Sequence, residues 1–370
     1  MTGPRAATVA ALTLALAALV ALPAGAAAHQ RSVRMSGTAY EFNRASVRLA
    51  GATIRVAERP RLSATVGADG RYVLAVPAHA RITPYIVASG YHTIYLQTFR
   101  TQGENLENVN FQTPTEGIYR ALALILKVPL DADGNPARCA IVSTFSTRNV
   151  RGVDFASFVA YGAHGVAGAR AYGVPALPKP VYFNEQVIPD PAQHLSSADG
   201  GVVWTDVPTG AYTVRASDPS TRFASFIATC RPGRVINANP PWGLHQLAPR
   251  NPARVSASWT RSFPGARLRA LAVRGLPARS AVIVRCLGRS RCPFTPVTLR
   301  PTGSSADLLA AIGGRSVRLW PWQGLEVAVS SPAYNGSVTR WQPRMLRAPA
   351  VTRLCVPLGN TAPQRRCPTG

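Results

Sequence analysis

The sequence predicts an all-β chain built from small sandwiches in tandem, and three observations carry that prediction. Turn formers are abundant, with 32 prolines and 30 glycines, while charged residues make up only 15%. Short runs of Val, Ile, Thr and Tyr lie between these turn signals at strand length. A pattern of glycine, turn and tyrosine also occurs twice. The first copy runs from Gly51-Ala52 to the turn Asp69-Gly70-Arg71-Tyr72 and on to Val76-Pro77; the second runs from Gly168-Ala169 to Asp199-Gly200 and on to Val207-Pro208-Thr209-Gly210-Ala211-Tyr212. An Asp-Gly pair supplies the positive φ that a tight hairpin needs.

These two stretches resemble the carboxypeptidase regulatory-like family, a small transthyretin-like β-sandwich. Its pattern is a Gly-Ala strand, a Thr- or Ser-rich run, an Asp-Gly turn and a strand opened by Val-Pro-x-Gly-x-Tyr. The resemblance covers roughly residues 33–113 and 137–248. The first copy departs from it at Ala78. The second has 31 residues from Gly168 to Asp199 where the first has 18 from Gly51 to Asp69, which predicts a longer loop. The resemblance implies a non-catalytic module of secreted or surface proteins, placed beside carbohydrate-binding folds, and therefore contact with glycan. The C-terminal part is similar to a small cysteine-paired domain found on secreted actinobacterial proteins, through Val273 to Pro277, Cys286, Cys292-Pro293-Phe294 and Leu354-Cys355 to Gly359. No activity attaches to that likeness.

Taken in order, residues 1–28 have the layout of a secretory signal peptide: Arg5, an apolar run from Ala6 to Leu22, a break at Pro23 and Gly25, and Ala26-Ala27-Ala28 before the expected cleavage. No later run is long and apolar enough to span a bilayer, so a secreted or envelope-associated chain without a transmembrane segment is expected. The expected domains are 29–115, 116–248 and a third small β domain over 249–370. Within the first, Gly90 to Phe99 reads as a central strand, with Tyr91, Thr93, Tyr95, Gln97 and Phe99 on one face and a half-buried His92 on the other. Thr113, Pro114 and Glu116 supply an N-cap, a first-turn proline and a capping-box acid for a helix through Ile118 to Leu126, although a buried strand fits the same residues. Asp131 to Gly134 starts like a calcium loop, but its twelfth position is Val142, so a turn is expected. A second short helix is expected after Ser304, through Asp307 to Ile312, stopping at Gly313-Gly314.

Six cysteines, an even set, suit an oxidising compartment. They allow 15 pairings. Proximity in sequence favours Cys286–Cys292 and Cys355–Cys367, which leaves Cys139–Cys230 to staple the second sandwich. None lies in a Cys-x-x-Cys arrangement, so neither metal nor redox chemistry is expected of them.

Charge is uneven. Residues 29–115 carry ten basic and five acidic side chains, residues 116–248 carry eleven and nine, and residues 249–370 carry nineteen and two. The excess sits in the third domain, where arginines alternate with apolar residues, so that one strand face forms core and the other a basic surface. That points to an anionic cell-envelope polymer as partner, met by Arg285, Arg289 and Arg291; an arginine-rich genome would give the same composition, since all but Lys127 and Lys179 of the 41 cations are arginine. Nucleic acid is not expected, because no recognition motif is present.

No nucleophile elbow, zincin motif or phosphate loop occurs, so the expectation is a non-enzyme without cofactor or metal. The strongest site candidate is the proline-stiffened excursion from Gly173 to Ser197. If it converges with its surroundings, His164, Tyr182 and Trp242 line a sugar-sized pocket with Asn184, Glu185, Asn237 and Asn239 as polar anchors; the alternative is that Tyr182 and Trp242 fill core while the Asn and Pro residues shape turns. A metal-dependent oxygenase or hydrolase in the second domain, using His164, His194 and His245, is a further alternative, and a structural spacer another.

Overall fold

The computed structural model describes residues 31–288, 292–314 and 316–369. The expected signal peptide, Arg289 and Arg291 lie outside the described residues. The described chain is all-β, with helix confined to Glu116–Ile125, Phe155–Tyr161, Leu308–Ala311 and one 3-10 turn.

Three sheet-on-sheet cores follow one another. In the first, strands Ser32–Glu41, Arg44–Arg48, Arg71–Pro77 and Phe111–Thr113 form one sheet. Its Met35, Leu74 and Phe111 pack against Ile54 and Ile86 of the facing sheet. In the second, Ile141 and Trp204 on one sheet meet Ala171, Val214 and Phe226 on the three-stranded sheet of Arg170–Val174, Gly210–Ser217 and Phe226–Cys230. In the third, Leu268 and Val273 of the Arg254–Ser262 and Gly265–Arg274 sheet pack against Val284, Val327 and Trp341 of a five-stranded sheet. Alternation of buried and exposed positions, as along Arg71–Pro77, produces each apolar face.

The facing sheets of the first two cores are one sheet. Its nine strands run in the order Pro189–Asp190, Val181–Phe183, Gly201–Val207, Cys139–Thr144, Val235–Ala238, Ile94–Tyr95, Pro84–Val87, Thr53–Val56 and Arg59–Thr65. Continuity rests on the parallel pairing of Val235 with Ile94 and Ile236 with Tyr95. The tract from Gly90 to Phe99 therefore has a central place, but only Ile94–Tyr95 is strand there. Beyond it Thr98 bonds to Ile227 and Phe99–Arg100 pairs with Arg81–Ile82. His92 is fully buried.

Both Asp-Gly turns form with glycine at positive φ, 79° at Gly70 and 80° at Gly200. The helix after the first sandwich starts at Glu116 with Thr115 as its cap, its hydroxyl accepting from the Ile118 amide. Thr113 does not cap it, because sheet pairing with Glu41 extends through that residue. The second short helix, Leu308–Ala311, is capped by Asp307. Asp131 closes a turn, accepting from the amides of Asp133 and Asn135. All three expected disulfides form, with Cα separations of 5.5, 5.8 and 5.9 Å for Cys139–Cys230, Cys286–Cys292 and Cys355–Cys367.

Candidate functional site

The residues of the expected sugar pocket are not brought to one place. Tyr182 is core, and its hydroxyl accepts from the Ala171 amide. Asn184 shapes a turn, its side-chain oxygen taking the amides of Gln186 and Ile188, and Glu185 beside it is exposed. The excursion itself supplies the edge strand Pro189–Asp190 of the nine-stranded sheet and its neighbour Val181–Phe183. His164 bonds to the Gly162 carbonyl and packs on Phe158. Asn237, Asn239 and Trp242 turn toward the first sandwich, donating to the carbonyls of Gln112, Asn110 and Glu107. His194 is exposed, and among the described residues no group of three or more His, Cys, Asp or Glu side chains gathers as a metal would require.

Trp242 belongs to a junction. Arg151 lies over its ring at 3.9 Å, and Phe99 meets it edge-on at 5.0 Å. Arg151 donates to the carbonyls of Pro241 and Leu358, so one buried guanidinium ties the second sandwich to the segment following strand Arg347–Val356. Burial lowers its pKa to about 9, which leaves it charged at neutral pH. Burial and the Arg151 charge together push the His245 pKa down, which keeps that imidazole neutral.

A cavity of about 680 Å³ opens beside this junction. Its floor is the outer face of the five-stranded sheet, where Ala281, Ile283, Ala328 and Val338 present aliphatic side chains. Its walls are the segments 107–108, 149–153 and 356–363. Arg151, Arg279, Arg285 and Arg300 line it against a single acid, Glu107. The reason for this imbalance lies in the two acids of residues 249–370. Asp307 caps a helix, and Glu326, fully buried, is bound by both Arg285 and Arg340 from its cross-strand positions. Among the described residues Arg279 and Arg300 have no ion pair or side-chain hydrogen bond, and Arg279 is held at a positive φ of 58°. Their donors are free for an anion.

Sequence reasoning reached Arg285 but not Arg300, Arg151 or the 356–363 wall. No local signal marks them, because the cavity unites residues more than 200 positions apart, such as Arg151 and Leu358.

No family model and no curated protein matches the chain. Among solved structures, the Bacillus anthracis TIE protein is similar at 10% identity and a TM-score of 0.18, over 85% of this chain and 49% of that one, so the chain spans about half its length. A streptococcal ancillary pilin is similar at 9% identity and TM-score 0.18, over 87% and 95%. The shaft pilin SpaA of Lactobacillus rhamnosus GG is similar at 11% identity and TM-score 0.17, over 58% and 98%. At such TM-scores these likenesses carry no argument.

Proposed function

We propose that this chain is an exported, non-catalytic binding or scaffolding protein of the cell envelope or extracellular space, and that it holds an acidic polymer or glycan in the arginine-lined cavity. The observation that carries this reading is the cation excess: four arginines and one acid line the cavity, and although Arg285 is paired with Glu326, Arg279 and Arg300 have no side-chain partner among the described residues. Guanidinium forks in a concave site favour carboxylate or phosphate groups over a merely basic surface. Export is supported by the pattern of residues 1–28 and by three disulfides that leave no free cysteine among the described residues.

The test is retention of the full chain on an anionic matrix over a salt series. Binding through released counterions should weaken steeply with salt, and Arg279→Ala with Arg300→Ala should lower both affinity and salt slope. Retention that ignores the double substitution would mean that the charge is compositional, as an arginine-rich genome alone would give.

A further inference from the structure

The arginine-lined cavity does not end at the junction. A second cavity of about 210 Å³ shares Arg151, Pro357, Leu358 and Asn360 with it. A third, of about 310 Å³, shares Trp242, Asn360 and Gln364 with the second. The three therefore adjoin one another along residues 357–364, with Arg151 and Leu358 as walls shared by the first two. That segment is fixed from both sides. Disulfide Cys355–Cys367 closes it, Cys355 and Gln364 exchange backbone hydrogen bonds, and Arg151 and Asn335 hold Leu358.

The two ends differ in chemistry. The far cavity is lined by Arg100, Gln102, Glu104, Asn360 and Gln364, whose side chains have no hydrogen-bond partner among the described residues. Amide groups present donors and acceptors together, Glu only acceptors and Arg only donors. A sugar ring with several hydroxyls satisfies such a mixture. A phosphate chain does not, because it offers acceptors alone and would meet Glu104 of this cavity as a like charge.

We propose that the three cavities are one groove for an acidic polysaccharide of the uronic-acid class, with its carboxylates on Arg279, Arg285 and Arg300 and a hydroxylated ring in the amide-lined cavity beside Trp242. The inference rests on the binding reading above and assigns its ligand class. Spacing supports it, since a polymer that reaches both ends must pass the Asn360 side chain common to all three cavities.

The experiment is titration of the full chain with oligogalacturonate and, separately, with inorganic polyphosphate of matched charge. Two variants are compared, Arg279→Ala with Arg300→Ala at the basic end and Gln102→Ala with Gln364→Ala at the amide end. Both should weaken oligogalacturonate by roughly tenfold or more, the loss expected for one or two hydrogen bonds in each case. Polyphosphate should bind more weakly to the native chain and lose affinity with the arginine variant only, and its undiminished binding to the amide variant reports that this variant is folded. If the amide variant leaves oligogalacturonate binding unchanged, or polyphosphate binds the native chain as tightly, the extended groove is wrong while the anionic-polymer reading stands. If the native chain binds neither polymer, that reading falls as well.

Discussion

The first two sandwiches and the third use charge in opposite ways. In residues 29–248 fourteen acids accompany twenty-one bases, and acids have partners within the two sandwiches: Glu41 is buried between Arg44 and Tyr91, Glu58 takes the amide and hydroxyl of Thr83, and Asp206 meets Arg138. In residues 249–370 two acids accompany nineteen arginines; Asp307 caps a helix, and Glu326 is buried under Arg285 and Arg340, which among the described residues are the arginines of this region in an ion pair. A fold that spends its carboxylates on internal structure makes its remaining cations available to a partner. The basic cavity is thus an outcome of where Glu326 lies as much as of arginine number.

Three measurements sharpen or break this contrast. The largest effect should come from Cys139→Ala with Cys230→Ala, because both sulfurs are buried in the second core and the bridge closes a long loop. In the chain-entropy treatment it contributes about 4–5 kcal/mol, against about 2–3 for the short Cys286–Cys292 loop. Denaturant unfolding of the two cysteine-pair variants should give losses in that order, and equal losses would remove the bridge as the second sandwich's staple.

Next is Glu326→Gln. The substitution leaves two guanidiniums facing a neutral amide, and because both arginines are partly exposed the cost should be about 2–3 kcal/mol, below that of a fully buried pair. Hydrogen exchange should report the loss in strands Ala281–Leu287, Gly324–Ser330 and Gly336–Arg344, with the nine-stranded sheet unaffected. Loosening spread through the whole chain would contradict a division of charge by region.

The smallest effect concerns acid. Burial lowers the pKa of His92 against the opposing pull of Glu116 and Asp131, and His245 is lowered as well, whereas residues 249–370 contain no histidine. With folded-state values below the unfolded one of about 6.5, the unfolded chain takes up these protons first. Stability should therefore be full above that pH and fall as the pH drops from about 6.5 toward the folded-state values. His92→Gln should flatten part of this fall in a pH series of melting temperatures, and an unchanged slope would assign the acid sensitivity elsewhere.

Much of the fold was legible because its signals are local. Asp69-Gly70 and Asp199-Gly200 mark their turns, Asp307 its helix, and cysteine spacing its pairs. The errors come from contacts between distant segments. Thr113 has a cap's sequence, yet pairing with Glu41 keeps it in a sheet. Tyr182 and Trp242 look alike as pocket aromatics, but one fills a core and the other holds a junction through Arg151 and Glu107. The candidate site was legible at Arg279 and Arg285, which belong to the arginines alternating with apolar residues, but not at its walls, since neither periodicity nor motif tells which distant loop will wall a cavity.

The parallel register of Ile94–Tyr95 with Val235–Ala238 also sets a timetable for synthesis. The chain emerges N-terminus first at about 5–20 residues per second, so the partner of Ile94 arrives on the order of ten seconds after it. Until then Ile94–Tyr95 is an open edge beside Pro84–Val87. The first sandwich therefore completes this sheet edge only once the second has been synthesised, and the shortness of Ile94–Tyr95 limits what that edge can recruit in the interval.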